Sequence, residues 1–239
     1  MTEQMPIPLA ERFKAPQGEG LYSGTQMAFV RTVGCSVGQD VCTACDTAFD
    51  RIYPDQGGGR YTPSELMLWA DGCRHVCITG GEPLDRDLRP LLQACVDSGV
   101  LAHVETSGTK HPAWLDGSEK AARRDRMHAI GRGSVGSEMA WSWQPLWVTV
   151  SPKPGYRPEM VEYVADEIKV IIGGLGDGPG WPTALDAVRW ADSGLLVYVQ
   201  PRNFENLVDE EALQHVVDLV ALYPQLRLST QLYKFVGTR

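Results

Sequence analysis

No stretch of this chain approaches the roughly 20 consecutive apolar residues that a helix needs to cross a membrane. Residues 1–12 also lack the basic start and apolar centre of a secretory signal peptide. Acidic residues are in excess, with 30 Asp and Glu against 22 Lys and Arg, and the formal net charge is −8. Such a charge disfavours broad binding to nucleic acid or to an anionic membrane surface. We therefore expect a cytoplasmic protein that has neither nucleic acid nor membrane as a partner.

The chain also has too few cysteines for a disulfide-rich scaffold, with six in 239 residues. Three of them nevertheless lie close together, at Cys35, Cys42 and Cys45, directly after an apolar segment. In a reducing compartment, a tight cysteine cluster favours metal binding. A structural zinc site closes four ligands around its metal, whereas a four-iron cluster takes one ligand per iron. Three thiolates therefore indicate a cluster with one open iron; a three-cysteine zinc site with water, and Cys73 as a fourth ligand, are the alternatives.

Apolar segments alternate with helical patterns along the chain, and no internal repeat interrupts them. Strands are predicted at 28–33, 75–79, 102–105, 147–150, 167–172, 195–199 and 226–229. Helices are predicted at 62–71, 88–98, 182–193 and 209–223, the first with Thr62 as its cap. This alternation is typical of a parallel α/β sheet. Because the units are too few for a closed eightfold barrel, we predict an open, partial parallel β/α barrel of about six strands.

We interpret residues 1–239 as one domain, since this length suits a single large core. Residues 110–145 fit the pattern poorly, because a basic run is followed there by a Gly- and Ser-rich stretch. This segment is predicted to be an insertion, or alternatively a solvated helix followed by a surface loop.

Polar motifs follow the predicted strands where each strand ends. They are the cysteine loop from Cys35, and the segments 80–82, 105–108, 151–153 and 200–201. In open sheets and barrels of this class, the chemistry gathers at the carboxyl ends of the strands. Five such coincidences predict a single site at that edge of the sheet.

The segment 79–83 reads Thr-Gly-Gly-Glu-Pro directly after an apolar strand. Paired glycines allow a close backbone approach to a ligand, and Glu82 adds an acceptor for a cationic group. The alternative is a plain strand-to-helix turn, with glycine for its geometry and proline at the helix start.

Together, the cysteine loop and this glycine motif resemble those of radical S-adenosylmethionine enzymes. That resemblance implies a partial β/α barrel that holds a [4Fe-4S] cluster, whose open iron binds S-adenosyl-L-methionine. The spacing Cys35-x6-Cys42-x2-Cys45 has a longer first gap than the superfamily's commonest spacing. The resemblance also implies that reductive cleavage of S-adenosyl-L-methionine gives a radical, which abstracts hydrogen from the substrate.

A narrower resemblance is to the 7-carboxy-7-deazaguanine synthase family. It rests on the segments 17–20, 29–31, 34–35, 45–47, 105–108, 151–153, 166–170, 200–201 and 227–234. The resemblance implies a carbon-nitrogen lyase that converts 6-carboxy-5,6,7,8-tetrahydropterin to 7-carboxy-7-deazaguanine with release of ammonia, assisted by Mg²⁺, in queuosine biosynthesis. It also implies an electron donor such as flavodoxin and a homodimer.

The resemblance assigns a role to each matching residue. The cluster ligands would be Cys35, Cys42 and Cys45. The S-adenosylmethionine contacts would be Gly80, Gly81, Glu82, Ser107, Ser151, Lys153 and Gln200. The pterin contacts would be Gln17, Glu19, Arg31, Asp46 and Lys234, with the segment 1–25 facing the substrate. Thr47 would supply an oxygen near Mg²⁺.

Several of these residues also have an ordinary structural explanation. Glu19 could be a solvated loop acid and Lys153 a surface lysine, whereas Arg31 on an apolar strand needs a partner for its charge. At the end of the chain, Tyr233 stands where the family is expected to have a histidine, so Lys234 is left to supply the charge. The alternative functions are a glycyl-radical activating enzyme and a non-catalytic zinc or iron-sulfur module.

Overall fold

The structure is a computed structural model that describes residues 5–38, 40–42, 45, 49–115, 146–173, 178–203 and 207–236. Its strands are β1 Ile7–Pro16, β2 Gln26–Thr32, β3 Gly59–Tyr61, β4 His75–Gly80, β5 Leu101–Thr106, β6 Leu146–Val150, β7 Glu167–Ile172, β8 Val197–Pro201 and β9 Arg227–Leu228. Its helices are α1 Pro63–Trp69, α2 Arg89–Asp97, α3 Ala184–Asp192, α4 Glu210–Leu222 and α5 Leu232–Val236. Most of the predicted insertion, residues 116–145, lies outside the described residues.

All nine described strands form one open sheet in the order β3-β1-β2-β4-β5-β6-β7-β8-β9. From β2 through β9 each neighbouring pair is parallel, whereas β1 pairs with β2 and β3 with β1 in the antiparallel sense. This arrangement confirms the predicted α/β class with a mostly parallel, open sheet. The parallel part has seven strands among the described residues, where about six were expected.

Two strands were not predicted, and both lie at the N-terminal edge of the sheet. The sequence of β1 contains charged residues and two prolines, so it has no clean alternation of apolar and polar positions. Its charges are accommodated by specific partners: the Arg12 guanidinium carbon lies 3.9 Å from the ring centre of Tyr61 and 4.8 Å from that of Trp69. Those contacts join residues far apart in the sequence, and a local pattern does not contain them.

The start of α1 follows its local sequence. Thr62 accepts a hydrogen bond on Oγ1 from the backbone N–H of Glu65, and the Glu65 carboxylate accepts one from the backbone N–H of Thr62 at 2.8 Å. This reciprocal pair is the capping box that the sequence predicts, with Pro63 in the first turn.

Alternate residues of each parallel strand face opposite sides of the sheet. On one side, which we call the helix face, Val76 and Ile78 pack in the main core together with Leu66 of α1 and Leu91 of α2. On the other side, which we call the inner face, the strands carry polar side chains such as Glu105. Because parallel sheets are usually apolar on both faces, this polarity marks the inner face as the place where a site is built.

Residues 17–25, which we call the N-terminal loop, cover part of the inner face. The loop closes on itself, since the amide of Gln17 donates to the carbonyl of Thr25 at 2.8 Å. Tyr22 packs edge-on against His103 and Trp147, with ring centres 4.6 and 5.3 Å away. The amide of Leu21 donates to a carboxylate oxygen of β7 at 2.8 Å, and so fixes the loop above the strand.

The C-terminal segment also reaches this loop, because the amide at the start of α5, Leu232, donates to the carbonyl of Gly18 at 3.0 Å. Within the part of the chain described, no helix is both long enough and apolar enough to span a membrane.

Two glycines of the N-terminal loop allow a controlled test of its docking. Gly20 has φ +65° and a Cβ there would lie 2.0 Å from Oε1 of Glu167, whereas Gly24 has φ +85° and open space around it. We expect Gly24→Ala to cost only the left-handed backbone penalty of about 1–2 kcal/mol. Gly20→Ala should cost roughly a further 1–3 kcal/mol because the added methyl overlaps a buried carboxyl. Equal losses of unfolding free energy in urea denaturation would contradict the docked position of the loop.

The buried carboxyl of Glu167 gives a pH-dependent prediction. Burial raises its pKa from 4.5 to about 8, against the opposing effect of the hydrogen bond from Leu21. Between these pH values the folded chain keeps a proton that the unfolded chain releases, so stability falls as pH rises from about 4.5 to about 8. Glu167→Gln removes this titration and keeps an acceptor for Leu21. We expect its unfolding free energy, relative to the unmodified chain, to increase steadily across that interval; a constant difference would contradict the assignment.

Candidate functional site

The cysteine loop leaves the sheet at the carboxyl end of β2. The amide of Gly34 donates to the carbonyl of Phe49 at 2.7 Å, which closes the base of the loop. Further along, Cys42 donates from its amide to Gly38 at 3.1 Å, and Cys45 donates to Cys42 at 3.0 Å. These short turns bring Cys42 and Cys45 to the same part of the loop.

None of the three cysteines of the loop forms a disulfide, and Cys35 and Cys42 are half-buried while Cys45 is exposed. Burial raises the pKa of Cys42, the positive charge of Lys153 opposes that change, and Cys45, Cys35 and Glu82 add to it. These groups are therefore close enough to interact electrostatically. The loop consequently gathers three thiols next to the ends of β4 and β6.

The thiols suit an iron-sulfur cluster in their chemistry, because a cluster binds each thiolate to a different iron and does not require them to meet at one point. Among the described residues, no group of three or more His, Cys, Asp or Glu side chains lies close enough to hold a single metal ion. Cys73 is buried in the core of the helix face, away from the loop, and this position argues against its use as a fourth ligand.

The two glycines at the end of β4 are needed by the chain itself. Gly80 has φ +112°, and a Cβ there would lie 2.3 Å from the amide nitrogen of Thr32. A Cβ on Gly81 would lie 1.7 Å from the carbonyl oxygen of Gly34. The two glycines therefore allow this strand end to lie against the start of the cysteine loop, and Glu82 adds a hydrogen bond from its amide to Gly34 at 3.2 Å. The close approach to a ligand that the sequence predicts stays a prediction.

The Glu82 side chain is 1% exposed, and its carboxylate accepts hydrogen bonds from four donors of the chain. Oε1 accepts from the amide of Leu84 at 3.0 Å and from Oγ1 of Thr106 at 2.6 Å. Oε2 accepts from the amide of Ser107 at 2.9 Å and from the hydroxyl of the same residue. In this structure Glu82 ties the end of β4 to the end of β5, which is a scaffold role beside any contact with a cationic group.

The strand ends next to Glu82 supply the other predicted cofactor contacts. Ser107 lies after β5, with its Oγ 2.9 Å from Oγ1 of Thr109. After β6, Nζ of Lys153 donates to Oγ of Ser151 at 2.8 Å and lies 5.5 Å from the ring centre of Trp181. A hydroxyl pair and an ammonium group therefore border the region of the three thiols.

A second group of polar side chains crosses the inner face from β2 to β5. Thr79 lies opposite Arg31 in the parallel register and donates to Oε2 of Glu105 at 3.2 Å. Gln17 of the N-terminal loop donates to Oε1 of Glu105 at 2.9 Å. Arg31 has the partner that its position demands, since its Nε lies 3.2 Å from Oε1 of Glu11 on β1.

A third group joins the N-terminal loop to β7 and β8. Glu19 forms an ion pair with Lys169, and its other oxygen accepts from Nε2 of Gln200 at 3.1 Å. Lys234 lies on α5, which is bonded to the loop at Gly18, and its Nζ is 5.7 Å from the Tyr233 ring centre. Asp46 and Thr47 lie outside the described residues.

Glu105 and Lys169 are charged members of these groups to which the sequence assigned no role. Both interrupt apolar strands with a charge, which is the signal that could have identified them. The local sequence does not identify their partners, because Gln17 lies 88 residues from Glu105 and Glu19 lies 150 residues from Lys169.

Comparison with known proteins gives several relatives that match nearly the full chain, although no family model matches it. The 7-carboxy-7-deazaguanine synthase of Synechocystis sp. is 32% identical over 235 residues, covering 97% of this chain and 93% of that protein. The protein of the same name from Flavobacterium psychrophilum is 27% identical, covering 97% of this chain and 92% of that protein. The one from Bordetella pertussis is 28% identical, covering 98% of this chain and 99% of that protein. The crystal structure of QueE from Escherichia coli matches with a TM-score of 0.63 at 24% identity, over 95% of this chain and 94% of that one, which shows a shared fold.

The four donors around Glu82 make a sharp prediction for Glu82→Gln. Each carboxylate oxygen accepts from one backbone N–H, of Leu84 or of Ser107, so the amide group of glutamine must face one of these donors in either orientation. We expect a loss of about 1–3 kcal/mol in unfolding free energy. The matched control is Glu65→Gln in the exposed capping box, where glutamine also serves and the change should stay within about 0.5 kcal/mol. Equal effects of the two substitutions in urea denaturation would contradict the role of Glu82 in holding the ends of β4 and β5 together.

Proposed function

Since this chain belongs to the 7-carboxy-7-deazaguanine synthase family, we propose that it is a radical S-adenosylmethionine lyase that converts 6-carboxy-5,6,7,8-tetrahydropterin to 7-carboxy-7-deazaguanine and releases ammonia. The similarity to named relatives along nearly the whole chain carries this proposal. The reaction would contribute to queuosine biosynthesis. The comparisons do not favour the glycyl-radical activating enzyme or the zinc module.

The cluster would be held by Cys35, Cys42 and Cys45, which lie on one loop and form no disulfide. When bound, a reduced [4Fe-4S] cluster with S-adenosyl-L-methionine supplies a carbon radical that removes hydrogen from the substrate. Mg²⁺ would be bound near Thr47, with Asp46 beside it, since this ion prefers oxygen ligands and keeps part of its coordination for the substrate.

The cofactor site would lie at the strand ends that border the thiols. Gly80 and Gly81 expose backbone groups beside the cysteine loop, and their fixed packing holds those groups in place. Ser107, Ser151 and Lys153 would contact polar atoms of the cofactor. Because the Glu82 carboxylate already accepts four hydrogen bonds, its contribution to this site is to hold the strand ends in position.

The pterin would bind on the inner face, below the N-terminal loop. Gln17 and Glu19 offer an amide and a carboxylate for the N–H and carbonyl groups of the ring. Arg31 and Lys234 are the cations available for the substrate carboxylate, and the planar fork of Arg31 suits two oxygens. Gln200 is hydrogen-bonded to Glu19, which supports a place for it beside the pterin as well as its assignment to the cofactor.

We also propose that the protein is a cytoplasmic homodimer which receives electrons from a donor such as flavodoxin. These assignments come from the family resemblance. The acidic net charge of −8 is compatible with them.

The function is tested with anaerobically reconstituted protein, supplied with the carboxytetrahydropterin, S-adenosyl-L-methionine, Mg²⁺ and dithionite. We expect formation of the deazapurine and release of ammonia, measured by liquid chromatography with mass detection. A fully loaded cluster that gives no product would reject the proposal.

The iron content of cysteine variants distinguishes the proposed cluster ligands from the buried thiols of the core. We expect Cys42→Ala to bind far less iron than the unmodified chain, which should hold about four irons per chain and show brown absorbance. The control is Cys95→Ala, since Cys95 is a buried thiol on α2 and its loss should leave the iron content unchanged. Colourless protein that holds one zinc would support the zinc module instead.

A further inference from the structure

Lys169 lies on β7 at a position where a charged side chain is unexpected. Its neighbours Ile168 and Val170 are buried in the core of the helix face, while the Lys169 side chain points to the inner face and is 8% exposed. A buried ammonium is costly unless it is paired and hydrogen-bonded. Its retention in this strand therefore calls for a specific partner.

That partner is Glu19 of the N-terminal loop, whose side chain is 15% exposed. One carboxylate oxygen of Glu19 pairs with Nζ of Lys169, and the other accepts from Nε2 of Gln200 at 3.1 Å. Since each oxygen has its own donor, the plane of the carboxylate is fixed. An ionised carboxylate has about four acceptor positions, so two donors leave room for contacts to a ligand.

The same network fixes the backbone of the loop beside Glu19. Oε1 of Gln200 accepts from the hydroxyl of Ser229 at 3.0 Å, and the hydroxyl oxygen of Ser229 accepts from the amide of Gly20 at 3.2 Å. Glu19, Gly20, Ser229 and Gln200 thus form a closed ring of contacts. Lys169 supplies the only full positive charge that the described contacts place on this ring.

From this geometry we propose that Lys169 is a positioning residue for substrate binding: its ammonium group holds the Glu19 carboxylate in the orientation in which it meets the pterin. This proposal rests on the proposed function for the identity of the ligand. It does not require Lys169 to touch the substrate. Its role is to keep a buried, ionised acceptor and the docked loop in place before the substrate arrives.

The first test is Lys169→Met, which keeps an unbranched side chain one atom shorter and removes the charge. We expect a roughly ten- to hundredfold rise in KM for the pterin with a smaller change in kcat, because an oriented binding contact is lost. We also expect faster amide hydrogen exchange at Leu21 to Thr25, measured in the absence of cofactor and substrate. The matched control is Lys14→Met, since Lys14 is exposed, donates to the backbone carbonyl of Asp71 and lies 5.7 Å from the ring centre of Trp69, away from the N-terminal loop. It should change neither the KM nor the hydrogen exchange of the loop.

A double variant separates positioning from simple loss of stability. Lys169→Met and Glu19→Gln each leave one buried charge without its partner, whereas the combined variant removes both charges. We expect the combined variant to recover most of the amide protection of the loop and none of the affinity for the pterin. If both the amide protection and the affinity for the pterin recovered, the ion pair would serve stability alone, and this would overturn the proposal.

The two proposals fail in different ways. If the unmodified enzyme forms no product from the pterin, the proposed function is wrong, and the hydrogen exchange of Lys169→Met still reports on the ion pair. If the unmodified enzyme is active and Lys169→Met keeps both its KM and its loop protection, then Lys169 is not a positioning residue.

Discussion

The buried carboxylate of Glu82 is the interaction from which the site is built. Strands β4 and β5 end side by side, and three of the four hydrogen bonds to Glu82, from Thr106 and Ser107, hold those ends together after the ladder between the strands has stopped. The two glycines before it let the same strand end lie directly against the start of the cysteine loop. A substitution in this small region therefore acts on the loop, on Ser107 and on the spacing of both strands at once, because they share one anchor.

Polar side chains on the inner face are unusual for a parallel sheet, and burying them costs free energy of desolvation. Pairing between these side chains offsets that cost. Each charged side chain considered there has a partner of opposite charge or a set of hydrogen bonds: Arg31 with Glu11, Lys169 with Glu19, and Glu105 with two donors. Apolar packing on the helix face supplies the stability that this arrangement does not. The helix face thus carries the main core, while the inner face combines a small apolar cluster of Ala15, Met27, Phe29 and Cys77 with the polar groups of the candidate site.

Local signals were enough to predict the parallel sheet, the four longer helices and the capping box of α1, because each is written in a short stretch of sequence. They did not reveal β1, whose charges are accommodated by Tyr61 and Trp69. The glycine pair was expected to allow a close approach to a ligand, which stays a prediction; its contact with Gly34 could not be read from the local sequence. The charge of Lys169 interrupts an apolar strand, which the sequence shows, but its contact with Glu19 is formed only in the folded chain. Register and loop docking, which depend on contacts between distant segments, were the parts that local patterns could not supply.

The bond from Gly20 to Ser229 spans 209 residues of sequence, and that span has a consequence for how the protein is made. During synthesis the N-terminal loop emerges early, while the hydroxyl that secures it leaves the ribosome only after β7 and β8. Contacts of such long sequence separation form late in folding. Because the main core also includes Val216 and Leu226, neither the core nor the docked loop is complete until this end of the chain has emerged, and a chain that stops before Ser229 lacks the hydroxyl that accepts from Gly20.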